Sequence, residues 1–316
     1  MKSLIIGGAG FVGAYLVQHL KEELGHEVVV TKMETESIVL NGVEIHNMDI
    51  LKKNDIVELF QKVRPDYIFH LAAQSSVSVS WNNPQLTVDV NIKGGVNVLE
   101  ALRELDYKPR MLLIGSGEEY GHIRKEETPI GEDNNTRPGN IYAATKTCQN
   151  MLGKIYADAY NLDVMMVRAF NHLGPNQAPL FVAADFCKQV AEIESKKRDA
   201  VIKVGNLSAK RDFTDVRDVV RCYGLIMQKG KAGETYNVGS GHAISIEELL
   251  QMILNASTAQ IKVEVDPQKL RPIDVPIIEA NIEKVVAATG WKPEIPLERT
   301  ILETLNYWRN VISREG

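Results

Sequence analysis

The sequence predicts an α/β fold: a doubly wound parallel sheet with a smaller C-terminal α/β domain. Three observations carry that expectation. Short runs rich in Val, Ile and Leu alternate with stretches of helical spacing through the first half, the pattern of strands joined by crossover helices. The first apolar run leads straight into a glycine-rich turn, Gly7-Gly8-Ala9-Gly10-Phe11-Val12-Gly13. The last third changes character, with shorter strands and longer connections. At 316 residues, 44% hydrophobic and 24% charged, the chain has a globular composition and enough length to bury a large core.

The totals also exclude classes. A formal net charge of -5 argues against a nucleic-acid partner, which selects a basic face. Cys148, Cys187 and Cys222 are too far apart for a zinc site or a disulfide framework, and free thiols suit a reducing cytosol. The start of the chain lacks the shape of a signal peptide, and no apolar run approaches the roughly 18 residues of a membrane span. The expectation is therefore a cytoplasmic protein with no membrane partner and no metal.

In chain order, residues 4–6 read as a buried strand, and 14–20 continue as a helix after the glycines. Gly7, Gly10 and Gly13 give G-x-x-G-x-x-G between them. Glycines there allow a tight turn and let backbone N–H groups and the helix N-terminus meet a pyrophosphate, with Phe11 and Val12 completing the cradle. This makes residues 1–170 a Rossmann-like dinucleotide-binding domain, to which some later segments return. Residues 171–316 mainly bind substrate. Residues 27–31 form the second strand. It ends at Lys32 rather than an acid, so a 2′-phosphate and NADP(H) are favoured; Glu34 and Glu36 keep NAD(H) open. After a strand at 43–48, Asp49 and Ile50 sit where an adenine edge would lie, although Asp49 serves equally as a helix cap. Residues 56–63 are an amphipathic helix and 67–73 a buried strand. The small residues Ala72 and Ala73 after Leu71 leave room for a cofactor, and His70 reads as a satisfied core histidine.

Residues 88–105 form a long helix and 111–114 the next strand. In open parallel sheets ligands bind beyond the carboxyl ends of strands. Ser116 is therefore placed to bond a substrate oxygen, unless it is a plain turn serine. Glu118 reads either as a buried acid/base or as a solvated loop carboxylate. A helix follows over 142–160. Tyr142 and Lys146, four apart, share a face of it. An ammonium beside a phenol favours the ionised form, which suits proton exchange on a carbonyl/alcohol couple. Residues 163–168 form another strand and lead to Asn171. Further strands are expected at 201–204, 235–238 and 261–265, and Ser245 with Glu248 forms a capping box. Lys188, Arg211 and Arg271 suit a diphosphate or, equally, surface salt bridges.

The glycine turn, the strand-end serine and Tyr-x-x-x-Lys together resemble the extended short-chain dehydrogenase/reductase family, over nearly the whole chain. That family works largely on nucleotide sugars. The resemblance implies cofactor binding at Gly7, Gly10, Gly13, Asp49-Ile50 and Leu71-Ala72-Ala73, and a catalytic triad of Ser116, Tyr142 and Lys146. The stretches 114–121, 170–177, 202–207, 211–219 and 270–276 look like the GDP-4-dehydro-6-deoxy-D-mannose reductases within it. That likeness implies a GDP-sugar substrate, with Asn171 and Lys188 on sugar and diphosphate, Gly205 and Asn206 near the nucleoside, and Arg211 and Arg271 on phosphates. It also implies a homodimer packed through the two long helices. Two residues depart from the pattern, Gly117 for a serine and Asn176 for a small residue, and both are expected beside the sugar.

Overall fold

A computed structural model describes residues 1–269 and 275–314. Arg271 lies outside the described residues. Seven parallel strands make the main sheet: β1 (Lys2–Ile6), β2 (Glu27–Lys32), β3 (Glu44–Asn47), β4 (Tyr67–His70), β5 (Arg110–Ser116), β6 (Val164–Ala169), and a late strand, Thr235–Val238. Their spatial order is β3, β2, β1, β4, β5, β6 and then the late strand, which pairs in parallel with β6. Strand order reverses between β1 and β4, so a crevice opens beyond their carboxyl ends.

Alternation along the strands divides the core between two faces. Ile5, Val30, Phe69 and Leu112 pack with helices Phe11–Gln18 and Val216–Lys229 on one side. Leu4, Ile6, Val29, Ile68 and Leu113 pack with helices Lys53–Val63, Gly94–Arg103 and Ile141–Tyr160 on the other. The inner strands β1, β2, β4, β5 and β6 are thus buried on both faces, which is why those runs read as continuously apolar, whereas the edge strand β3 is partly exposed.

The smaller unit is built on strand Lys210–Asp215. It pairs in parallel with Asn171–Leu173 and Ile277–Ile278, and antiparallel with Ala243–Ser245. Helices Val182–Glu194, Ile246–Asn255 and Leu297–Arg314 cover it around Phe186, Leu249 and Trp308. The Ser245–Glu248 capping box is present. The expected strand 67–73 stops at His70, because the N–H groups of Leu71 and Ala72 both turn back to the Ile6 carbonyl. The expected helix 88–105 begins earlier, at Pro84, and carries a π-helical turn at Asp89–Lys93 before its last segment, Gly94–Arg103. That turn has a purpose visible in the site.

Candidate active site

A cleft of about 1120 Å³ runs over the carboxyl ends of the main sheet and into the smaller unit. At its floor is the glycine turn. Gly7 takes φ +83°, and a Cβ there would stand 2.7 Å from the Ala72 backbone; a Cβ on Gly13 would meet the Gly8 carbonyl at 2.5 Å. Both glycines are required by the protein's own packing. Gly10 differs. A Cβ on it would find only the Gly7 carbonyl, at 3.6 Å. Gly10 is exposed, lines the cleft, and caps helix Phe11–Gln18 without any side-chain bond to the helix N-terminus. Those N–H groups and the room above Gly10 fit an anionic ligand. The Thr31 hydroxyl accepts from Gly7 N at 3.2 Å and the Thr31 carbonyl from Gly8 N at 2.9 Å, fixing the turn to β2.

Phe11, Val12, Lys32, Asp49, Ile50, Leu71, Ala72 and Ala73 all line the same end of the cleft. Lys32 donates to the carbonyls of Met33 and Glu36, at 3.1 and 2.7 Å, while the Glu36 carboxylate accepts from Met33 N at 2.7 Å. Asp49 Oδ1 accepts from Leu51 N at 2.9 Å, closing a local turn; it is not the cap of the next helix, Lys53–Val63, whose N-cap is Lys52.

Over the middle of the cleft stand Ser116, Glu118, Tyr142 and Lys146. Helix Ile141–Tyr160 starts at Asn140, whose Oδ1 accepts from Ala143 N at 2.8 Å while its Nδ2 donates to Glu118 Oε2 at 3.2 Å. Tyr142 and Lys146 follow in the first two turns and are nearly fully buried. Lys146 Nζ donates to the Ile114 carbonyl at 2.7 Å and to Gln149 Oε1 at 3.1 Å. Burial lowers its pKa to about 8, with the Glu119 charge opposing. Burial also holds the Tyr142 phenol well above its ordinary pKa; the Ser116 hydroxyl lowers it through a hydrogen bond, and Glu118 and Glu119 raise it further. The expected lowering of the phenol therefore does not hold: loss of hydration outweighs every nearby group, and the Lys146 ammonium is engaged by a carbonyl and an amide. His70 lies below Lys146. Burial first, and that ammonium second, drive its pKa down to about 3. Its Nδ1 has no hydrogen-bond partner among the described residues, so the ring is neutral and buried but not fully satisfied.

Several supporting residues carry no local sequence signal. Asn91, in the π-helical turn, donates to the Gln74 carbonyl at 3.0 Å and to Thr145 Oγ1 at 2.9 Å, and Thr145 donates to the Tyr142 carbonyl at 2.7 Å. The bulge thus clamps the loop after β4 to the helix bearing Tyr142. Glu119 is fully buried; Ser116 N donates to it at 2.9 Å and Arg168 Nε at 2.9 Å. Desolvation pushes its pKa up to about 7, opposed first by Arg168.

In the substrate half, Asn171, Gly205, Asn206 and Arg211 line the cleft. Arg211 donates to the carbonyls of Lys210 and Val275, at 2.8 and 2.7 Å. A Cβ on Gly205 would meet the Lys269 carbonyl at 2.6 Å, so the glycine is demanded by close backbone approach. Lys188 is displaced from the expectation. It does not line the cleft; its ammonium sits 5.7 Å from the Trp308 ring and 3.7 Å from Glu192. Asp185, one turn earlier on helix Val182–Glu194, faces the cleft instead. Asn176 is also away from the cleft. It adopts φ +72° and accepts from the Tyr307 hydroxyl at 2.8 Å, so it is a turn residue tied to the C-terminal helix. Gly117 is buried against the Phe170 ring, where a Cβ would stand 3.1 Å from Cγ.

A family model described as GDP-mannose 4,6 dehydratase matches residues 4–304. The chain belongs to that family. It is thereby an extended short-chain dehydrogenase/reductase, whose members are NAD(P)-dependent nucleotide-sugar oxidoreductases, dehydratases and epimerases. Among relatives, a GDP-6-deoxy-D-mannose reductase of Pseudomonas aeruginosa is 30% identical over 270 residues, covering 85% of this chain and 88% of its own. Among solved structures, the RMD of Pseudomonas aeruginosa complexed with NADPH is 28% identical with a TM-score of 0.86, covering 98% of this chain and 100% of that one. The UDP-glucose 4-epimerase of Thermus thermophilus complexed with NAD is 30% identical with a TM-score of 0.87, covering 98% and 99%. Among the described residues no cluster of His, Cys, Asp and Glu suits a metal, and no helix is long and apolar enough to cross a membrane.

Proposed function

We propose that this protein is an NADP(H)-dependent reductase of the 4-keto group of GDP-4-dehydro-6-deoxy-D-mannose, giving GDP-D-rhamnose. One observation carries the reading: an open glycine turn at a helix N-terminus and the residues Ser116, Tyr142 and Lys146 share one cleft with the polar residues Asn171, Asn206 and Arg211. The likeness to a GDP-6-deoxy-D-mannose reductase supports the choice of sugar. When bound, the dinucleotide supplies a hydride. Helix Phe11–Gln18 holds its pyrophosphate at Gly10, and Lys32 stands at the ribose end, in favour of a 2′-phosphate over NAD(H).

Ser116 donates a hydrogen bond to the sugar carbonyl oxygen, offsetting the negative charge that grows there during reduction. Tyr142 gives its proton to that oxygen. Burial keeps the phenol protonated at neutral pH, which is the state a proton donor needs. Lys146 places a cation beneath the reacting centre and holds the helix against β5 through Ile114. Asn171 binds the sugar, Asn206 lies by the nucleoside and Arg211 by the diphosphate.

A second reading, a GDP-mannose 4,6-dehydratase, is favoured by one observation: Glu118 lines the cleft beside Tyr142 and raises its pKa, as a second acid/base for water elimination would. Incubation with the GDP-4-keto sugar and NADPH separates the two. Stoichiometric NADPH loss with a new C4 carbinol by NMR supports the reductase; water loss from GDP-mannose without net cofactor use overturns it. We also expect a homodimer. Leu86 and Val88 on one long helix, and Met151 and Ile155 on the other, are exposed apolar residues. A monomer in analytical ultracentrifugation refutes this.

A further inference from the structure

We infer that Asp185 and Lys269 read the base of the nucleotide and select guanine, an inference that rests on reading the cleft as a nucleotide-sugar site. Both side chains line the cleft at its substrate end, with Gly205, Asn206 and Gln268. Lys269 Nζ donates to Asp185 Oδ2 at 2.6 Å and to the Lys203 carbonyl at 3.1 Å. Gln189 Nε2 donates to the same Asp185 oxygen at 3.0 Å. Gln189 is itself buried and locked, accepting from Lys203 N at 3.0 Å. The carboxylate and ammonium are therefore held side by side, Asp185 on helix Val182–Glu194 and Lys269 at the end of the short 3-10 turn Pro267–Lys269.

The pairing edges of the bases differ in the order of their donors and acceptors. Guanine presents an amino donor, a ring N–H donor and a carbonyl acceptor in a row. Uracil presents acceptor, donor, acceptor. Adenine presents an amino donor beside a bare ring nitrogen. A carboxylate accepts only, and an ammonium donates only. Set side by side they match guanine: the carboxylate takes the amino and ring N–H groups, the ammonium takes the carbonyl oxygen. A carboxylate offers about four lone-pair sites, and Oδ1 makes no hydrogen bond with the described residues, so two more donors can be received. Against uracil the same pair leaves Asp185 facing a carbonyl oxygen, a repulsive contact that adds to selectivity.

The test is calorimetric titration of GDP, IDP and UDP into NADPH-saturated wild type, Asp185→Ala and Lys269→Met. Wild type should bind GDP at least about tenfold tighter than UDP, with IDP, which lacks the 2-amino group, in between. Asp185→Ala should lose about tenfold or more on GDP, little on UDP, and bind GDP and IDP alike; Lys269→Met should weaken both GDP and IDP. Unchanged NADPH affinity certifies each fold, and Lys269→Met, at a half-exposed site, stands in if Asp185→Ala misfolds. GDP selectivity that survives both substitutions overturns the inference and leaves the reductase reading intact. A guanine preference lost in Asp185→Ala, with no turnover of the 4-keto sugar by wild type, upholds the inference and overturns the reductase. A wild type that binds UDP as well as GDP overturns both.

Discussion

Two alanine substitutions, three residues apart, separate what the fold needs from what a ligand needs in the glycine turn. At Gly7, φ is +83° and a Cβ would lie 2.7 Å from the Ala72 backbone. The left-handed conformation costs an L-residue about 1–2 kcal/mol, and forcing atoms into a packed site costs about 1–3 kcal/mol more. Gly7→Ala should therefore lose about 2–5 kcal/mol of stability. At Gly10, φ is -74° and the nearest atom to a Cβ is 3.6 Å away. Only the weaker capping of alanine over glycine remains, below about 1 kcal/mol. Urea unfolding should show Gly10→Ala close to wild type. Its NADPH affinity, followed by fluorescence titration, should fall about tenfold or more, because the methyl group takes the space left for a phosphate and even one displaced contact of that kind is worth about 1–3 kcal/mol. If Gly10→Ala keeps its NADPH affinity, the turn is not the phosphate cradle. If it unfolds as readily as Gly7→Ala, the reading of open space above Gly10 is wrong.

Other outcomes follow from the centre of the cleft. Tyr142→Phe should cut turnover by about 10² or more with little change in unfolding, since general-acid help is of that size; near-normal turnover removes Tyr142 from the reaction. Lys146 carries a pKa lowered from 10.5 to about 8. Its folded pKa is depressed, so its cost to folding is absent above about pH 10.5, grows as pH falls, and is complete below about 8, reaching about 3 kcal/mol at 1.36 kcal/mol per unit. The stability of Lys146→Met relative to wild type should therefore fall by about 2–3 kcal/mol between pH 7 and pH 10; paired urea titrations with no such trend refute the buried-charge assignment. Asn140→Ala removes a helix cap and should cost about 1 kcal/mol. Asn140→Asp keeps the cap acceptor but sets a second carboxylate against Glu118. A shifted pH–rate profile in Asn140→Asp, with unfolding unchanged, marks Glu118 as a participant; an identical profile excludes it.

What could be read from the sequence is what depends on spacing along one element. The glycine turn, Tyr142 with Lys146, and Ser116 at a strand end are local patterns, and strand–helix alternation was enough to expect the parallel sheet. Residues whose meaning comes from distant partners were illegible. Asn91 needs Gln74 and Thr145, Glu119 needs Arg168, and Asp185 needs Lys269, at separations of 49 to 84 residues for the last two. Lys188 shows how fine the limit is. On helix Val182–Glu194, Lys188 extends over Trp308 while Asp185, three residues earlier, lines the cleft. The phenol of Tyr142 illustrates a different gap. A neighbour four residues away is visible in a sequence; the desolvation that outweighs it is a property of the whole packed core.

The direction of the chemistry turns on a few atoms around Gly117. Water elimination needs a further acid/base group on the sugar, such as a carboxylate, in addition to the group that exchanges the C4 proton. In the loop after β5 that group is Glu118, whose Oε2 accepts from Asn140 Nδ2 at 3.2 Å. Its neighbour Glu119 faces inward, fully buried, and accepts from Ser116 N and Arg168, so it shapes the loop rather than the substrate. A Cβ on Gly117 would stand 3.1 Å from the Phe170 ring, so that ring must give by a few tenths of an ångström to admit a side chain, and Phe170 and Asn171 both line the cleft. With Glu119 turned into the core and a glycine at 117, Glu118 is the carboxylate of this loop that faces the cleft. The choice between the proposed reduction and elimination therefore rests on Glu118, and the pH–rate profile of Asn140→Asp tests its part in the reaction.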